Sequence, residues 1–319
     1  MNETNIYPKV SIIILNYNSK KFLKDCLEAI KENTSYTNYE VIMVDNNSTD
    51  DSVTFVRTNY PWVFIIETGE NRGFSAGNNV GIQRTDGEYV FLLNTDTIVQ
   101  PKWLSRVVET AKSDPKIGVV GALPVHMDLY NFYRRPPNFN RLEEVSEVAG
   151  AAMLVKRELI LNIGPLDEYS FLYWEDTEFC WRSILSGYKV VYDYDAVVYH
   201  HLAGTSGINP RWIYEKKKNE LYTYIKLLEA KHAIYFSSIS VLKGVGLTLL
   251  HPKYSKYIIS SFVDTIMARH HIIQKRREFK KLKLITDKKL LKLIKTTKKL
   301  RKRDEKYWRK EMSDKTGDA

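Results

Sequence analysis

Tyr89-Val-Phe-Leu-Leu-Asn-Thr-Asp-Thr97 is the segment around which the rest of the chain is arranged. Residues 89–93 are apolar, rich in aromatic and branched side chains, and bounded by Asp86-Gly87 and Pro101. This length and these flanks predict a buried strand of a mostly parallel sheet. The strand runs into Asn94-Thr95-Asp96, at the edge where open α/β sheets collect ligands. An aspartate at that point is either a ligand for a divalent cation or a solvated turn residue, and this stretch alone does not decide between them.

The length and composition of the chain limit the class of protein. With 319 residues, 44% of them hydrophobic, the chain has room for one large globular domain and an appendage. Cys26 and Cys180 both fall in amphipathic helical patterns, which predicts two buried free thiols and a reducing compartment. Residues 1–9 are polar and lack the apolar core of a secretion signal, so we expect a cytoplasmic protein.

Positive charge is concentrated towards the C-terminus. Residues 269–319 contain 20 lysine and arginine residues against 7 aspartate and glutamate residues, a net charge of +13. Because the whole chain carries +10, residues 1–268 carry −3. The basic character therefore belongs to the tail and says little about the main domain.

Strand-like and helix-like segments alternate over the first hundred residues. The predicted strands are residues 10–15, 39–44, 63–66 and 89–93. The predicted helices are residues 19–30, with Ser19 as the N-cap, and residues 80–85, which follow a loop at residues 69–79. Such alternation with short links predicts a Rossmann-like parallel sheet with helices on both faces.

Polar loops recur at the same end of successive predicted strands, at residues 16–19, 45–50 and 94–97. Asp45 can accept hydrogen bonds from a base or a ribose, as acidic residues after a strand do in nucleotide-binding sheets. A capping turn explains any one of these loops equally well. Three polar loops at one edge of the sheet favour a nucleotide site.

Several motifs, taken in order, resemble those of the inverting family 2 glycosyltransferases, and within them the rhamnosyltransferase-like group. The motifs are Ser11-Ile-Ile-Ile-Leu-Asn-Tyr-Asn18, Val44-Asp-Asn-Asn-Ser-Thr-Asp50, Glu70-Asn-Arg-Gly-Phe-Ser-Ala-Gly-Asn-Asn79, Leu92-Leu-Asn-Thr-Asp-Thr97, Gly150-Ala-Ala-Met-Leu-Val155, Phe171-Leu-Tyr-Trp-Glu-Asp176 and Val198-Tyr-His-His-Leu-Ala-Gly-Thr-Ser206. The resemblance implies a GT-A fold, in which a Rossmann-like nucleotide-binding half is fused to an acceptor-binding half. It also implies a nucleotide-sugar donor and a divalent cation, Mn²⁺ or Mg²⁺.

The resemblance also implies roles for individual residues. Asp176 would be the base that deprotonates the acceptor hydroxyl, and Asp96 with His200 would hold the cation. Asn94 stands where many family members carry the first aspartate of an Asp-x-Asp motif. The implied donor-binding residues are Asn16, Asn18, Asp45, Asn47, Arg72, Gly73, Asn78, Asn94 and Thr95. The implied acceptor-binding residues are Gly150, Ala151, Trp174 and Glu175.

The residue chemistry around Asp176 and His200 is compatible with these roles. Asp176 opens a predicted helix, where an ionised carboxylate is favourable both for a base and for a simple helix cap. Trp174 offers an apolar ring face for a sugar. Imidazole is a good ligand for Mn²⁺. Because adjacent side chains in a strand face opposite sides, only one of His200 and His201 can reach the site.

Two irregular segments are candidates for loops that close over a ligand. Residues 126–137 combine aromatic residues, prolines and two arginines, Arg134 and Arg135, which either bind phosphates or are solvated. Residues 204–207, with glycine at both ends, form a second loop that would cover a diphosphate.

We expect three regions. The first is a catalytic domain at residues 1–211, with a nucleotide-sugar half at about 1–100 and an acceptor half at about 101–211. The second is a partly apolar, membrane-associating helical region at residues 212–268. The third is a basic tail at residues 269–319 that is helical or partly disordered. Lys243 and two glycines interrupt the apolar residues 233–250, which favours a helix in the membrane interface over a crossing. The basic tail would draw the protein to the anionic inner face of the cell membrane. A soluble helical subdomain, a solvated tail and a nucleic-acid arm are the alternatives.

The sequence thus predicts an inverting, metal-assisted glycosyltransferase of cell-surface polysaccharide assembly. It would move a hexose, or a deoxyhexose such as rhamnose, from a dTDP, UDP or GDP donor to a glycan or polyprenyl-linked glycan acceptor. A sugar nucleotidyltransferase is one alternative, although residues 16–19 lack the Gly-rich phosphate loop that it needs. A catalytically silent subunit that docks on membrane or nucleic acid is another, with nucleic acid the less expected partner.

Overall fold

A nine-stranded sheet organises the computed structural model, which describes residues 7–127, 133, 135–201 and 210–316. The strands are β1 (Val10–Asn16), β2 (Tyr39–Asp45), β3 (Val63–Glu67), β4 (Tyr89–Asn94), β5 (Thr97–Val99), β6 (Ile117–His126), β7 (Leu142–Glu144), β8 (Ala152–Lys156) and β9 (Lys189–His200). Their order in the sheet is β3-β2-β1-β4-β8-β6-β9-β5, and β7 pairs with β9.

Helices cover both faces of this sheet and continue beyond it. They are α1 (Lys20–Asn33), α2 (Ser52–Asn59), α3 (Gly73–Gln83), α4 (Trp103–Ser113), α5 (Arg157–Ile163), α6 (Glu175–Leu185), α7 (Arg211–Leu227), α8 (Ala230–Leu250), α9 (Ser255–Met267), α10 (Arg269–Lys280) and α11 (Asp287–Thr316). On one face Ile12 packs with Leu27 and Trp103 of α1 and α4. On the other, Ile13 and Phe179 of α6 share a second apolar core. Alternate residues of β1 thus point into separate cores, as the apolar run predicts.

The predicted fold class is confirmed. Strands β3, β2, β1 and β4 are parallel to one another, whereas the second half of the sheet is mixed, with β8 antiparallel to both β4 and β6. The chain places β2 on one side of β1 and β4 on the other. The strand order therefore reverses at β1, and in such sheets the crevice beyond the carboxyl ends of the strands is where ligands bind.

Helix α3 begins at Gly73, so the prediction of a loop over residues 69–79 was wrong for residues 73–79. Glycine and asparagine have low helix propensity, but close packing overrides that preference here. A Cβ on Gly77 would lie 2.5 Å from Cδ1 of Leu15, and one on Gly81 would lie 2.7 Å from Cγ2 of Ile13. The glycines let α3 lie directly against β1.

The predicted capping role of Ser19 was also wrong. Its Oγ donates to the carbonyl of Tyr17 over 3.0 Å and makes no bond to the first turn of α1. Oδ2 of Asp50 instead accepts from the amide of Lys20 over 2.8 Å. A residue distant in sequence therefore satisfies the helix end, and local patterning cannot anticipate such a partner.

The basic tail forms α10 and α11, and α11 packs on residues 139–146. Leu290 is buried, and the amide of Ser146 donates to Oγ1 of Thr297 over 2.7 Å. The guanidinium carbon of Arg303 lies 3.6 Å from the centre of the Phe139 ring. One face of α11 is thus joined to the segment that precedes β8.

Candidate active site

Asn16 and Asp45 end the neighbouring strands β1 and β2 and are register partners. Nδ2 of Asn16 donates to Oδ1 of Asp45 over 2.7 Å and to Oγ of Ser48 over 2.9 Å. The amide of Ser48 donates to the other carboxylate oxygen of Asp45, Oδ2, over 2.9 Å. Both side chains are buried, and Oδ1 of Asn16 has no partner among the described residues. An unpartnered buried acceptor of this kind is what a bound ligand would satisfy.

Asn18 and Asn47 occupy the two loops beyond these strands. Both are exposed and left-handed, with φ values of 50° and 65°, a conformation that asparagine tolerates better than most residues. The Asn18 amide donates to Oγ of Ser48 over 2.9 Å, and Oδ1 of Asn18 accepts from the Thr49 amide over 2.7 Å. The two predicted nucleotide loops are therefore joined to each other.

Asn46 is a contact residue that the sequence reasoning did not single out. It is buried, and its Nδ2 donates to the carbonyl of Gly73 over 2.9 Å. Gly73 has a φ of +75°, and a Cβ there would lie 2.4 Å from the carbonyl oxygen of Phe171. The predicted nucleotide loop at residues 45–50 therefore contacts the start of α3, which in turn contacts the turn at Phe171. Asn46 belongs to the polar loop at residues 45–50, and this position in the loop is the signal in the sequence that could have identified it.

Arg72 and Asn78, both predicted at the donor pocket, make local bonds. The guanidinium of Arg72 lies 3.1 Å from Glu70, and Nδ2 of Asn78 donates to the carbonyl of Phe74 over 2.9 Å. Arg72 is exposed, whereas Asn78 is buried in α3. These bonds do not tie either residue to the other predicted donor residues. Thr95 is buried in the turn between β4 and β5.

Asp96 and His200 meet where β5 pairs with the end of β9. Nε2 of His200 lies 3.1 Å from Oδ1 of Asp96, and the Asp96 side chain is buried. The neighbouring His201 donates its backbone amide to the Asp96 carbonyl over 3.0 Å, while its ring lies against Phe22. Of the two histidines, His200 is thus the one whose ring reaches the carboxylate.

This pair fits a divalent cation. One carboxylate oxygen and one imidazole nitrogen converge at the carboxyl edge of the sheet, and this combination suits Mn²⁺. Asp96 and His200 would hold the cation, and a diphosphate and water would supply its other ligands. Asn94, in place of a second aspartate, adds no charge to the site.

Asp176 lies in the first turn of α6, beside Gly150. Its Oδ2 accepts from the amide of Gly150 over 3.1 Å, and its Oδ1 accepts from the amide of Thr177 over 2.6 Å. The carbonyl of Ala151 accepts from the amide of Asn94 over 2.9 Å. The dipeptide at residues 150–151 therefore bridges the end of β4, two residues before Asp96, to the carboxylate of Asp176.

The turn before Asp176 is strained and held by a second missed residue. Tyr173 and Trp174 have φ values of 65° and 74°, which is costly for residues with bulky side chains. Nδ2 of the buried Asn219, on α7, donates to the carbonyls of Leu172 and Tyr173 over 3.0 and 2.7 Å. Asn219 lies within residues 217–222, which resemble the helix that often follows the catalytic domain in this family, but it was not singled out there.

Glu175 is a buried acid whose Oε2 has no partner among the described residues. Burial raises the pKa of Glu175 well above that of an ordinary glutamate, and the charge of Asp176 raises it further. A protonated carboxyl can donate as well as accept a hydrogen bond. Trp174 is half-buried, and its ring meets Tyr224 edge to face with centroids 6.3 Å apart.

The two predicted covering loops remain largely predictions. Nε of Arg135 donates to Oδ1 of Asp195 over 2.7 Å, so this guanidinium is paired with a carboxylate. Arg134 and residues 204–207 lie outside the described residues.

Glu229, His232 and Asp287 form another group of potential metal ligands within the described part of the chain. Nδ1 of His232 lies 2.7 Å from Oδ2 of Asp287, and Lys283 donates to Oδ1. Burial works against ionisation of Asp287, but the bonds from Lys283 and His232 outweigh it and lower its pKa. The lysine already neutralises the carboxylate, so this group joins α8 to α11 rather than offering a cation site.

The sheet and the edge described above define a GT-A glycosyltransferase fold. The mannosyltransferase PcManGT from Pyrobaculum calidifontis, solved with GDP-Man and Mn²⁺, matches with a TM-score of 0.58 at 19% identity, over 82% of this chain and 88% of that one. Residues 11–167 match the model of glycosyl transferase family 2. This part of the chain is therefore a family 2 glycosyltransferase domain.

The chain is also similar to curated proteins with assigned names. Glycosyltransferase AglE of Haloferax volcanii is 28% identical over 209 residues, which cover 62% of this chain and 68% of that protein. Poly-beta-1,6-N-acetyl-D-glucosamine synthase of Staphylococcus aureus is 24% identical over 202 residues, 58% of this chain and 48% of that protein. The chain spans from 25% to 68% of the length of the curated relatives it matches.

Proposed function

We propose that this protein is an inverting glycosyltransferase that takes a sugar from a nucleoside diphosphate. The observation that carries the proposal is the bridge at residues 150–151. It ties the Asp176 carboxylate to the end of β4, where Asp96 meets His200. A cation-binding pair and a carboxylate base on one edge of the sheet are the two elements that this chemistry needs.

The joined loops beyond β1 and β2 would receive the nucleoside. Asp45 offers carboxylate oxygens to a ribose or base, and the unpartnered Oδ1 of Asn16 is a further acceptor beside it. The bond between Asn46 and Gly73 sets the start of α3 next to this loop. The donor would therefore extend from β2 across β1 towards Asp96.

Asp176 would act as the base. It takes the proton of an acceptor hydroxyl, whose oxygen attacks the anomeric carbon from the face opposite the diphosphate. The new bond to the acceptor forms as the bond between the sugar and the diphosphate breaks, so the anomeric configuration inverts. Bonds from Gly150 and Thr177 hold the carboxylate in place during this step.

Asp96 and His200 would hold a divalent cation. When bound, the cation neutralises charge on the leaving diphosphate, so no protonated carboxyl is needed for the departure. Burial raises the pKa of Glu175 well above that of an ordinary glutamate, and in its protonated form this carboxyl would donate to one acceptor hydroxyl and orient it.

The donor sugar is proposed to be a hexose or a deoxyhexose such as rhamnose, carried by dTDP, UDP or GDP. The acceptor is proposed to be a glycan or a polyprenyl-linked glycan of cell-surface polysaccharide assembly. The names of the relatives, a glycosyltransferase and a polysaccharide synthase, support an acceptor of this class.

A two-stage experiment tests the proposal. Thermal unfolding is measured with dTDP, UDP, GDP and their sugars, each with and without Mn²⁺ or Mg²⁺, because a bound ligand raises the melting temperature. The ligand with the largest metal-dependent shift is then incubated with glycan acceptors, and products are read by mass spectrometry and NMR. We expect a product of inverted configuration. A retained configuration, or no nucleotide that stabilises the protein, would contradict the proposal.

A further inference from the structure

Helix α8 exposes its large apolar residues and buries small ones, which is the reverse of the arrangement in a helix of a water-soluble protein. Its exposed face carries large apolar side chains, and its buried residues are Ala233, Ser240 and Gly244. The exposed aliphatic residues recur at helical spacing and are Ile234, Val241, Leu242, Val245, Leu249 and Leu250. Only 17% of its most apolar 18-residue window is buried within the protein. Solvated helices place such residues inwards.

Helix α9 repeats the pattern and packs against α8. Its buried residues include Ser261 and Thr265, whereas the exposed face is apolar. The exposed apolar residues of α9 are Ile259, Val263, Ile266 and Met267. A Cβ on Gly244 would lie 2.7 Å from the Phe262 ring, so a small residue allows the two helices to approach closely. Small residues between helices and large apolar ones outside are typical of helices in lipid.

We propose that the exposed face of the α8–α9 hairpin inserts into an anionic lipid bilayer. Helix α8 is long and apolar enough to cross a membrane by length and composition. Lys243 is nonetheless exposed near its middle, and Lys253 and Lys256 flank the turn into α9. Ammonium groups at these points suit a hairpin lying along the interface, from which lysine side chains reach the headgroups.

The charge of the tail specifies the lipid. The exposed face of α11 is basic, with Lys288, Lys289, Lys292, Lys295, Lys298, Lys299, Arg301, Lys302, Lys306, Arg309 and Lys310. The bonds of Asp287 to the Glu229 amide and to His232 set the first turn of α11 beside the start of α8. An apolar face with a neighbouring row of cations matches anionic headgroups above an acyl layer. It does not match a second copy of this face, because like charges would then meet.

A fluorescent label gives a direct test on the full chain. The native thiols, Cys26 and Cys180, are both buried, so a cysteine introduced on the surface can be labelled selectively. Leu249→Cys carries an environment-sensitive dye on the proposed face, and Leu161→Cys on α5 is the matched control, since these leucines are 76% and 78% exposed. With vesicles of phosphatidylglycerol and phosphatidylcholine, we expect the dye at residue 249 to shift to the blue and the dye at residue 161 to stay unchanged.

Vesicle flotation separates the contribution of the apolar α8–α9 face to membrane binding from that of the basic face of α11. Replacing both Leu242 and Leu249 with glutamate should abolish flotation, whereas Leu161→Glu should float like the wild type. Replacing Lys298 and Lys302 with glutamine should weaken binding to anionic vesicles about fivefold per charge removed. Unchanged melting temperatures show that the variants are folded. The proposal is overturned if neither dye responds to vesicles. It is also overturned if sedimentation shows a dimer that does not float with vesicles and that dissociates when Leu249 is replaced with glutamate.

Discussion

The backbone amide of Gly150 donates a hydrogen bond to Oδ2 of Asp176 over 3.1 Å, although 26 residues separate them. The next carbonyl, that of Ala151, accepts from Asn94, and β8 then pairs with β4 in antiparallel register. The position of Asp176 relative to the end of β4 is thus set by the sheet. A site built on a sheet is held more closely than one built on loops.

His200→Ala tests the proposed cation pair. The variant removes the imidazole that lies 3.1 Å from Asp96, so we expect Mn²⁺-dependent binding of the preferred nucleoside diphosphate to weaken at least about tenfold. Isothermal titration calorimetry with and without Mn²⁺ measures the effect. His201→Ala is the matched control, because the His201 ring contacts Phe22 and its backbone bond survives the change. Equal losses in the two variants would argue against a specific role for His200.

Asn219 is predicted to position the turn that carries Asp176. Asn219→Asp keeps the shape of the side chain but removes the amide group that donates to Leu172 and Tyr173. We expect kcat to fall about tenfold or more while the dissociation constant for the donor stays within about twofold, because the strained turn is no longer held. Steady-state kinetics and donor titration give the two values. If Asn219→Asp is less stable but transfers sugar at the wild-type rate, Asn219 supports the fold and does not position Asp176.

Gly73 is predicted to tolerate no side chain. Its φ is +75° and a Cβ would lie 2.4 Å from the Phe171 carbonyl, so Gly73→Ala should lower the free energy of unfolding by about 2 kcal/mol or more. Gly246→Ala, in α8, meets nothing within 4 Å and should be neutral or stabilising by up to about 1 kcal/mol. Chemical denaturation measures both. The steric account fails if the two variants lose equal stability.

The raised pKa of Glu175 predicts a pH dependence of stability. The folded protein keeps a proton on this carboxyl at pH values where the unfolded chain, with an ordinary pKa of about 4.3, has released it. The contribution of Glu175 to stability is therefore full below pH 4 and lost as the pH rises through the folded pKa. Glu175→Gln cannot ionise, so its melting temperature relative to the wild type should increase as the pH rises from 4 to 8.

Asp167→Asn is a control in which the pH dependence of stability runs in the opposite direction. Burial works against ionisation of Asp167, but Lys226 and Tyr222 outweigh it and hold its pKa below the ordinary value. Its contribution is present above pH 4 and lost as the pH falls through the folded pKa. Asp167→Asn should therefore be less stable than the wild type at neutral pH, with a deficit that shrinks in acid. Parallel pH profiles for the two variants would contradict the assignment of a neutral Glu175.

The sequence predicted what depends on local pattern. The apolar runs at residues 10–15 and 89–93 became β1 and β4, and the polar loops beyond them lie at one edge of the sheet because parallel strands share their direction. The free thiols are buried as expected. Motif resemblance chose His200 over His201, and the imidazole of His200 is the one against Asp96.

Features that depend on tertiary contact could not be predicted in this way. The start of α3 was missed because glycine signals a loop locally, whereas Gly77 is small so that the helix can lie on Leu15. Asn219 was not singled out because the carbonyls that it binds lie 47 and 46 residues earlier in the chain. Asp50 likewise caps a helix that begins 30 residues before it. In each case the deciding partner is distant in sequence, and no period or turn signal encodes it.

The roles of the two aspartates are tested by comparing Asp176→Asn with Asp96→Ala in one transfer assay and one nucleotide titration. If Asp176 is the base, Asp176→Asn should bind the donor with Mn²⁺ like the wild type and lose transfer by at least about a hundredfold. If Asp96 holds the cation, Asp96→Ala should lose the Mn²⁺-dependent part of donor binding. Wild-type transfer by Asp176→Asn, or full metal-dependent binding by Asp96→Ala, would contradict the account.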